Sequence, residues 1–186
     1  MSGAVTDLVR WARAAAAGDR VAAGAFVRAT QHDVWRWHTY LVGRDSAEDL
    51  SQETYARAFR ALPAFRFESD PRTWLLAIAR RVAADELRSR QRRRRLDALL
   101  ARQPSSDVAP DCSGDVTTDV LLRGLDADRR AAFVLTQVLG LSYAEAAAVC
   151  DCAVGTIRSR VARARADLVA ALDQPATGDG TVSRPA

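Results

Sequence analysis

The chain reads as an all-α protein of two small helical domains joined by a flexible linker, and three observations predict this. Apolar residues recur at three- and four-residue spacing almost throughout, and no run shows the alternation or β-branched enrichment that would argue for a sheet. Helix-start signals stand ahead of the apolar stripes: Asp19 after Gly18, Asp70 before Pro71, and Ser142 with Glu145 three residues on. Near the middle, QPSSDVAPDCSG concentrates Pro, Ser, Gly and Asp and offers little to bury, which is the composition of a connector.

Taken in order, a first helix is expected from about Val5 to Ala17, and Gly18-Asp19 forms its stop and the N-cap of a long second helix carrying Phe26, Val34 and Leu41. Gly43 to Asp45 breaks that helix, and a third runs from about Ser46 to Ala61. The loop from Pro63 to Asp70 leads into a fourth helix with Pro71 at its first position, Trp74, Leu75, Ile78 and Val82 on one side, and an arginine run at its end. Further helices are expected at about Thr118–Gly124, Asp126–Leu139, Ser142–Cys150 and Val154–Leu172. The resulting division is a first domain over 5–95, a linker over 96–117, a second domain over 118–173 and a disordered tail over 174–186, rich in Pro, Gly, Thr and Ser.

Charge sharpens this division. Every basic residue is Arg and none is Lys, so each cation can fork onto a phosphate or a guanine edge, although codon usage could give the same bias. Between Pro71 and Arg95 nine arginines face only Asp85 and Glu86, whereas from Leu96 to Thr118 Arg102 stands against Asp97, Asp107, Asp111 and Asp115. A basic block beside an acidic polar stretch reads as a polyanion site followed by a linker.

In the second half, Ser142 and Glu145 form a capping box, Asp151-Cys152-Ala153 is short enough for a tight turn, and a second helix follows. On that helix Ile157, Val161, Ala164 and Leu168 make the core-facing stripe, and the opposite face holds the small residues Gly155, Ser159, Ala162 and Ala166. Arg158 and Arg165 lie on one shoulder, Arg160 and Arg163 on the other. Such a helix can lie in a major groove, with small side chains at the base edges, guanidiniums at phosphates or guanines, and the amides of Gly155 and Thr156 at a phosphate. The plainer reading is an amphipathic surface helix with solvated arginines, and the capped helix and turn before it tell against that.

The whole segment GLSYAEAAAVCDCAVGTIRSRVARAR, 140–165, resembles region 4 of extracytoplasmic-function sigma factors. The resemblance implies a helix-turn-helix that reads the minus-35 promoter element through Arg158, Ser159, Ala162 and Arg163, beside the phosphate site expected at the amides of Gly155 and Thr156. Ala153 stands where family members often carry Pro, which should soften the helix start without moving it. In the first half, AEDLSQETYARAFR, 47–60, is similar to the same family's region 2 segment that grips the coiled coil of the polymerase's largest subunit, with Asp49, Gln52 and Glu53 matching its polar contacts. Read on their own, these residues make a polar ridge on one helix, with Glu53 and Arg57 a favourable i, i+4 pair, and a solvated face explains them equally.

The stretch FRFESDPRTWLLAIARRVAADELR, 65–88, resembles the minus-10 module, in which a loop and helix hold an unstacked base of the non-template strand. Pocketing a flipped base while cations hold the backbone offsets the few kcal/mol of unstacking. Phe65, Arg66, Phe67 and Arg72 in and beside the loop, and Arg80 and Arg81 on the helix, are the groups this implies. Trp74 reads mainly as core, Arg81 replaces an asparagine of some family members, and the run Arg92 to Arg95 could meet polymerase, upstream DNA or only solvent.

The resemblance implies an initiation factor whose partners are core RNA polymerase, through its largest-subunit coiled coil and its flap, and promoter DNA, with an anti-sigma factor a further expected partner and the free chain a monomer. Two rivals remain: a conventional helix-turn-helix regulator, dimeric on palindromic operators, whose N-terminal helices sense a ligand or dimerise, and a protein that occupies polymerase without reading DNA. No phosphate loop, nucleophile elbow or paired catalytic carboxylates point to an enzyme, and no catalytic residue or cofactor is expected. Cys150-x-Cys152 lacks the further ligands of a metal site and reads as core thiols, and His32 and His38, six apart, read as polar surface or cap residues. With three cysteines, no signal-peptide pattern and no apolar run of about 18 residues, the expected location is the cytoplasm, without membrane insertion.

Overall fold

A computed structural model describes residues 2–100 and 116–173. Within them the chain forms eight α-helices and no strand: α1 (Ser2–Ala16), α2 (Arg20–Leu41), α3 (Arg44–Ala61), α4 (Pro71–Leu100), α5 (Val116–Arg123), α6 (Ala127–Phe133), α7 (Tyr143–Cys150) and α8 (Val154–Asp173). The expected tail, and residues 101–115 of the expected linker, lie outside the described residues.

Local chemistry sets most boundaries. Gly18 takes φ +96° to end α1, and the Asp19 carboxylate then accepts the amides of Val21 and Ala22 at 2.8 and 3.0 Å, satisfying two of the orphan donors that open α2. Asp70 does the same for Arg72 and Thr73, with Pro71 at the first helical position. Three boundaries differ from expectation. Gly43 alone, at φ +126°, breaks α2 from α3, so α3 starts at Arg44. Helix α4 continues past the arginine run to Leu100, because Leu96 to Leu100 contains neither Gly nor Pro to stop it. The helix expected over Asp126–Leu139 is α only to Phe133; Val134–Val138 is a π turn, closed by the Leu139 amide on the Val134 carbonyl.

Helices α1 to α4 pack around Phe26, Val34, Ala58, Leu62, Leu75, Ile78 and Val82, and Leu122, Leu125 and Ala164 form a small cluster at α5 and α8. A third cluster belongs to both halves. Trp37 and Leu41 of α2 and Leu76 and Ala79 of α4 are buried together with Ala131, Leu135, Val149, Cys150 and Ile157. The two helical groups therefore meet face to face, α7 lying against α4.

Candidate nucleic-acid interface

The helix-turn-helix forms as its local signals dictate. The Glu145 amide donates to Ser142 Oγ at 3.2 Å, and the Ser142 amide donates to Glu145 Oε2 at 2.7 Å. The Ser142 hydroxyl, which donates to Glu145 Oε2 at 2.6 Å, and then the Ser142 amide hold the Glu145 carboxyl below the usual carboxylate range. Asp151, at φ +52°, makes the left-handed end of α7, and α8 begins at Val154 with Ala153 before it. Ile157, Val161 and Ala164 are buried and Leu168 half-buried, so the opposite face of α8 is turned outward. Gly155, Arg158, Ser159, Ala162 and Arg163 are exposed and Thr156 is half-buried.

The four arginines of α8 divide by partner. Arg160 donates to Asp128 and to Cys152 Sγ, and Arg165 donates to Gln137 Oε1 at 2.7 Å. Arg158 and Arg163 have no ion-pair partner among the described residues, which leaves one uncommitted guanidinium on each shoulder of the small-residue face. A Cβ placed on Gly155 would meet nothing within 4 Å, so this glycine answers no packing need inside the protein. It leaves the first turn of α8 bare for the close approach of something outside.

On the N-terminal half, Asp49 and Gln52 are exposed on α3 and Glu53 is half-buried. Glu53 Oε1 accepts from Arg57 Nε at 2.7 Å, and Arg57 Nη1 continues to Asp85 Oδ2 on α4 at 2.7 Å. Arg57 and then Arg88 hold the Asp85 carboxyl below its ordinary value. Beside this ridge lies a groove of about 440 Å³ between α2 and α3, lined by Gln31, His32, Trp35, Ser51, Gln52 and Tyr55. The α2 side of that groove was not expected, yet Val27, Gln31 and Trp35 recur every four residues on the flank of the buried stripe Phe26, Thr30 and Val34, a readable signal.

The loop residues Phe65 and Phe67 meet. Their ring centroids are 4.6 Å apart, and Phe65 stacks on Trp74 at 4.6 Å with planes 21° apart, so Trp74 supports the loop as well as the core. Phe67 sits at φ +59°, a left-handed conformation that costs a bulky residue about 1–2 kcal/mol and must be held by its surroundings. Arg66 is exposed, 3.8 Å from Glu68. Arg72 is not free: its Nε donates to Asp33 Oδ2 at 2.6 Å and its Nη2 to the Leu139 carbonyl at 2.6 Å, just past the π turn. Arg80 is half-buried and Arg81 exposed, and both line a cleft of about 250 Å³ with Trp37, Arg88 and Asp128, between α4 and α6. The expected minus-10 set thus falls into an aromatic loop and three arginines along the seam with the C-terminal half.

Two expectations are corrected. His38 is neither a surface nor a cap residue: it is fully buried, with Nε2 2.9 Å from Thr54 Oγ1, and burial lowers its pKa to about 4. Cys150 is a core thiol raised to about 11 by burial, but Cys152 is only half-buried and accepts from Arg160. Cys112 lies outside the described residues. Among the described residues no helix is long and apolar enough to cross a membrane.

Two family descriptions match the chain, Sigma-70 region 2 over residues 26–93 and Sigma-70, region 4 over residues 118–168. The ECF RNA polymerase sigma factor SigC of Mycobacterium tuberculosis is 50% identical over 172 residues, 90% of each chain. The ECF RNA polymerase sigma-E factor of Escherichia coli is 35% identical over 162 residues, 80% of this chain and 85% of the relative. Among solved structures, CnrH in complex with the cytosolic domain of CnrY superposes with a TM-score of 0.70 at 28% identity, covering 90% of this chain and 97% of that one. The sigma factor RpoE of Bartonella quintana, in complex with the anti-sigma factor NepR, gives 0.65 at 32% identity over 80% and 96%.

Proposed function

This chain belongs to the sigma-70 family, on its extracytoplasmic-function branch, and from that premise we propose how its surfaces serve initiation. It is an alternative sigma factor rather than an enzyme, a subunit that binds core RNA polymerase and directs it to promoter DNA. In our reading, α8 enters the major groove of the minus-35 element, with Arg158, Ser159, Ala162 and Arg163 reaching bases and backbone and the amides of Gly155 and Thr156 meeting a phosphate. Asp49, Gln52 and Glu53 dock the polymerase's largest-subunit coiled coil, and residues 118–173 meet its flap. Phe65, Arg66, Phe67, Arg72, Arg80 and Arg81 hold the opened minus-10 strand.

The observation that carries this reading is the outward face of α8, small side chains flanked by two guanidiniums with no acid partner among the described residues. Free of polymerase, the chain rests as a closed monomer. Supporting this, Arg72 is spent on Asp33 and on the Leu139 carbonyl, and Arg80 lies in the cleft against α6. Core polymerase then separates the halves, and the 101–115 segment keeps both elements within reach of one another at high effective concentration. Tight promoter binding by the isolated chain would overturn the closed state. One similar structure is the sigma factor RpoE held by the anti-sigma factor NepR, and a partner of that kind is our reading here too. The site of action is the cytoplasm, where polymerase works.

The test is run-off transcription with core RNA polymerase on fragmented bacterial genomic DNA, comparing the wild type with Arg158→Ala and Glu53→Arg. Discrete start sites that are lost with either substitution support both surfaces. Losing a guanine-type contact at Arg158 should lower promoter discrimination by about 1–3 kcal/mol, roughly five- to 150-fold. Specific DNA binding without polymerase, and no initiation, would favour a conventional regulator instead.

A further inference from the structure

Helix α1 lies outside the residues that match Sigma-70 region 2, yet it packs on α2, α4 and the 3-10 turn Leu62–Ala64 that leads into the aromatic loop. From its last turn, Arg13 places its guanidinium carbon 4.7 Å from the centroid of the Phe67 ring. Phe67 contacts Phe65, and Phe65 stacks on Trp74, so guanidinium, two phenyl rings and indole form one column from α1 to α4. Side chains hold this loop where backbone does not. Phe65 N donates to the Leu62 carbonyl at its entry, but among the described residues no backbone hydrogen bond joins Arg66 to Ser69. Phe67, in its left-handed conformation, depends on its two flanking contacts, and Arg13 supplies the outer one.

We infer that Arg13 is a positioning residue for promoter opening: by capping Phe67 it holds the Phe65–Phe67 pair in the shape that receives an unstacked base of the non-template strand. This rests on the minus-10 reading of Phe65 and Phe67. Arg13 is exposed, and among the described residues it has no acidic partner, so its charge serves no ion pair. A flat guanidinium lies on a ring face where an ammonium acts only as a point charge, which accounts for arginine at this place.

The test uses full-length protein in holoenzyme, on a promoter from the run-off selection carrying 2-aminopurine at the opened minus-10 position, whose fluorescence rises on unstacking. Arg13→Ala should lower the opening equilibrium about two- to fivefold, the worth of an exposed cation–π contact. Arg13→Lys should recover part of it, and holoenzyme affinity for a double-stranded minus-35 fragment should not change. Phe67→Ala separates the levels of the argument. If Phe67→Ala impairs opening and Arg13→Ala does not, the positioning role is overturned and the minus-10 reading stands; if neither impairs it, both fall. A slope of log affinity against log salt that drops by about one with Arg13→Ala would mean that Arg13 grips a phosphate, which also overturns the positioning role. Arg13→Gln, which keeps the helix and loses the cation, guards against an effect of misfolding.

Discussion

Helix α8 turns Gly155, Arg158, Ser159, Ala162 and Arg163 to solvent along one face, whereas α4, which carries Arg72 and Arg80, has its N-terminal turns packed against α7 and faces α6 across a cleft. The difference follows from how each surface is made. The α8 face belongs to one helix whose buried stripe fixes which way it points, and its competing acceptors, the Asp128 carboxylate and the Gln137 amide oxygen, engage only the two outer arginines, Arg160 and Arg165. The α4 face lies beside apolar residues, Leu76 and Ala79, that must be covered by something. In the free chain the cover is α7, and Arg72 alongside is drawn to the Leu139 carbonyl and to Asp33. Where a binding surface borders on unburied core, an intramolecular partner competes for it.

The largest expected effect that separates the halves is acid. His38 and His32 are the two histidines of the chain, and both lie on α2. Thr54 gives its hydroxyl proton to the Leu50 carbonyl at 2.7 Å, so His38 Nε2 donates to Thr54 Oγ1, and Nδ1 is left buried, without a proton or a partner. The folded state therefore resists protonation down to about pH 4, while the unfolded chain takes the proton near 6.5. With the folded pKa lowered, stability is full above pH 6.5 and falls as pH drops toward 4, by about 2 kcal/mol at pH 5. Hydrogen exchange at pH 7 and pH 5 should show amides of α2 and α3 losing protection before those of α7 and α8. His38→Gln should abolish that difference; equal loss in both halves would mean that they unfold only as one unit.

A smaller effect tests the covering itself. Asp33→Asn removes the carboxylate that, within the N-terminal half, orients Arg72 at 2.6 Å toward the Leu139 carbonyl across the seam; it should cost about 1–2 kcal/mol of stability, the worth of a charged hydrogen bond, and loosen the hold of Arg72 on the seam. Fluorescence anisotropy of the free chain should then report tighter binding to a single-stranded minus-10 oligonucleotide, by several-fold, and unchanged binding to a minus-35 duplex. If both affinities stay as in the wild type, the contact between the halves does not compete with DNA.

What the sequence made legible follows the same line. Asp19, Asp70 and the Ser142–Glu145 box lie within three residues of the amides they satisfy, and the Ile157, Val161 and Ala164 stripe obeys the helical period, so these could be read residue by residue. Arg72 could be read as a cation near the loop, but its partners lie 39 and 67 residues away, and no local pattern announces them. His38 looked like surface because histidine is amphipathic; only Thr54 on α3 made its burial tolerable. Trp74 looked like core because its spacing with Ile78 is a packing pattern, and its stack on Phe65 needed the loop to fold back. The π turn was hidden because Val134 to Val138 has ordinary helical apolar spacing.

The smallest effect is the one that most sharply separates a DNA-facing residue from a structural one. At Gly155 an added methyl group would find open space, and the position is helical without a left-handed φ, so Gly155→Ala should keep or raise stability, by at most about 1 kcal/mol. The same methyl group would stand on the first turn of α8 where a phosphate is expected to meet the amides, and should weaken minus-35 binding by holoenzyme. Thermal unfolding and duplex binding, measured on one variant, should therefore move in opposite directions. Packing residues lose both together, and a solvated surface residue changes neither; a Gly155→Ala protein that binds the minus-35 duplex as the wild type does would mean that the bare backbone there is not approached by DNA.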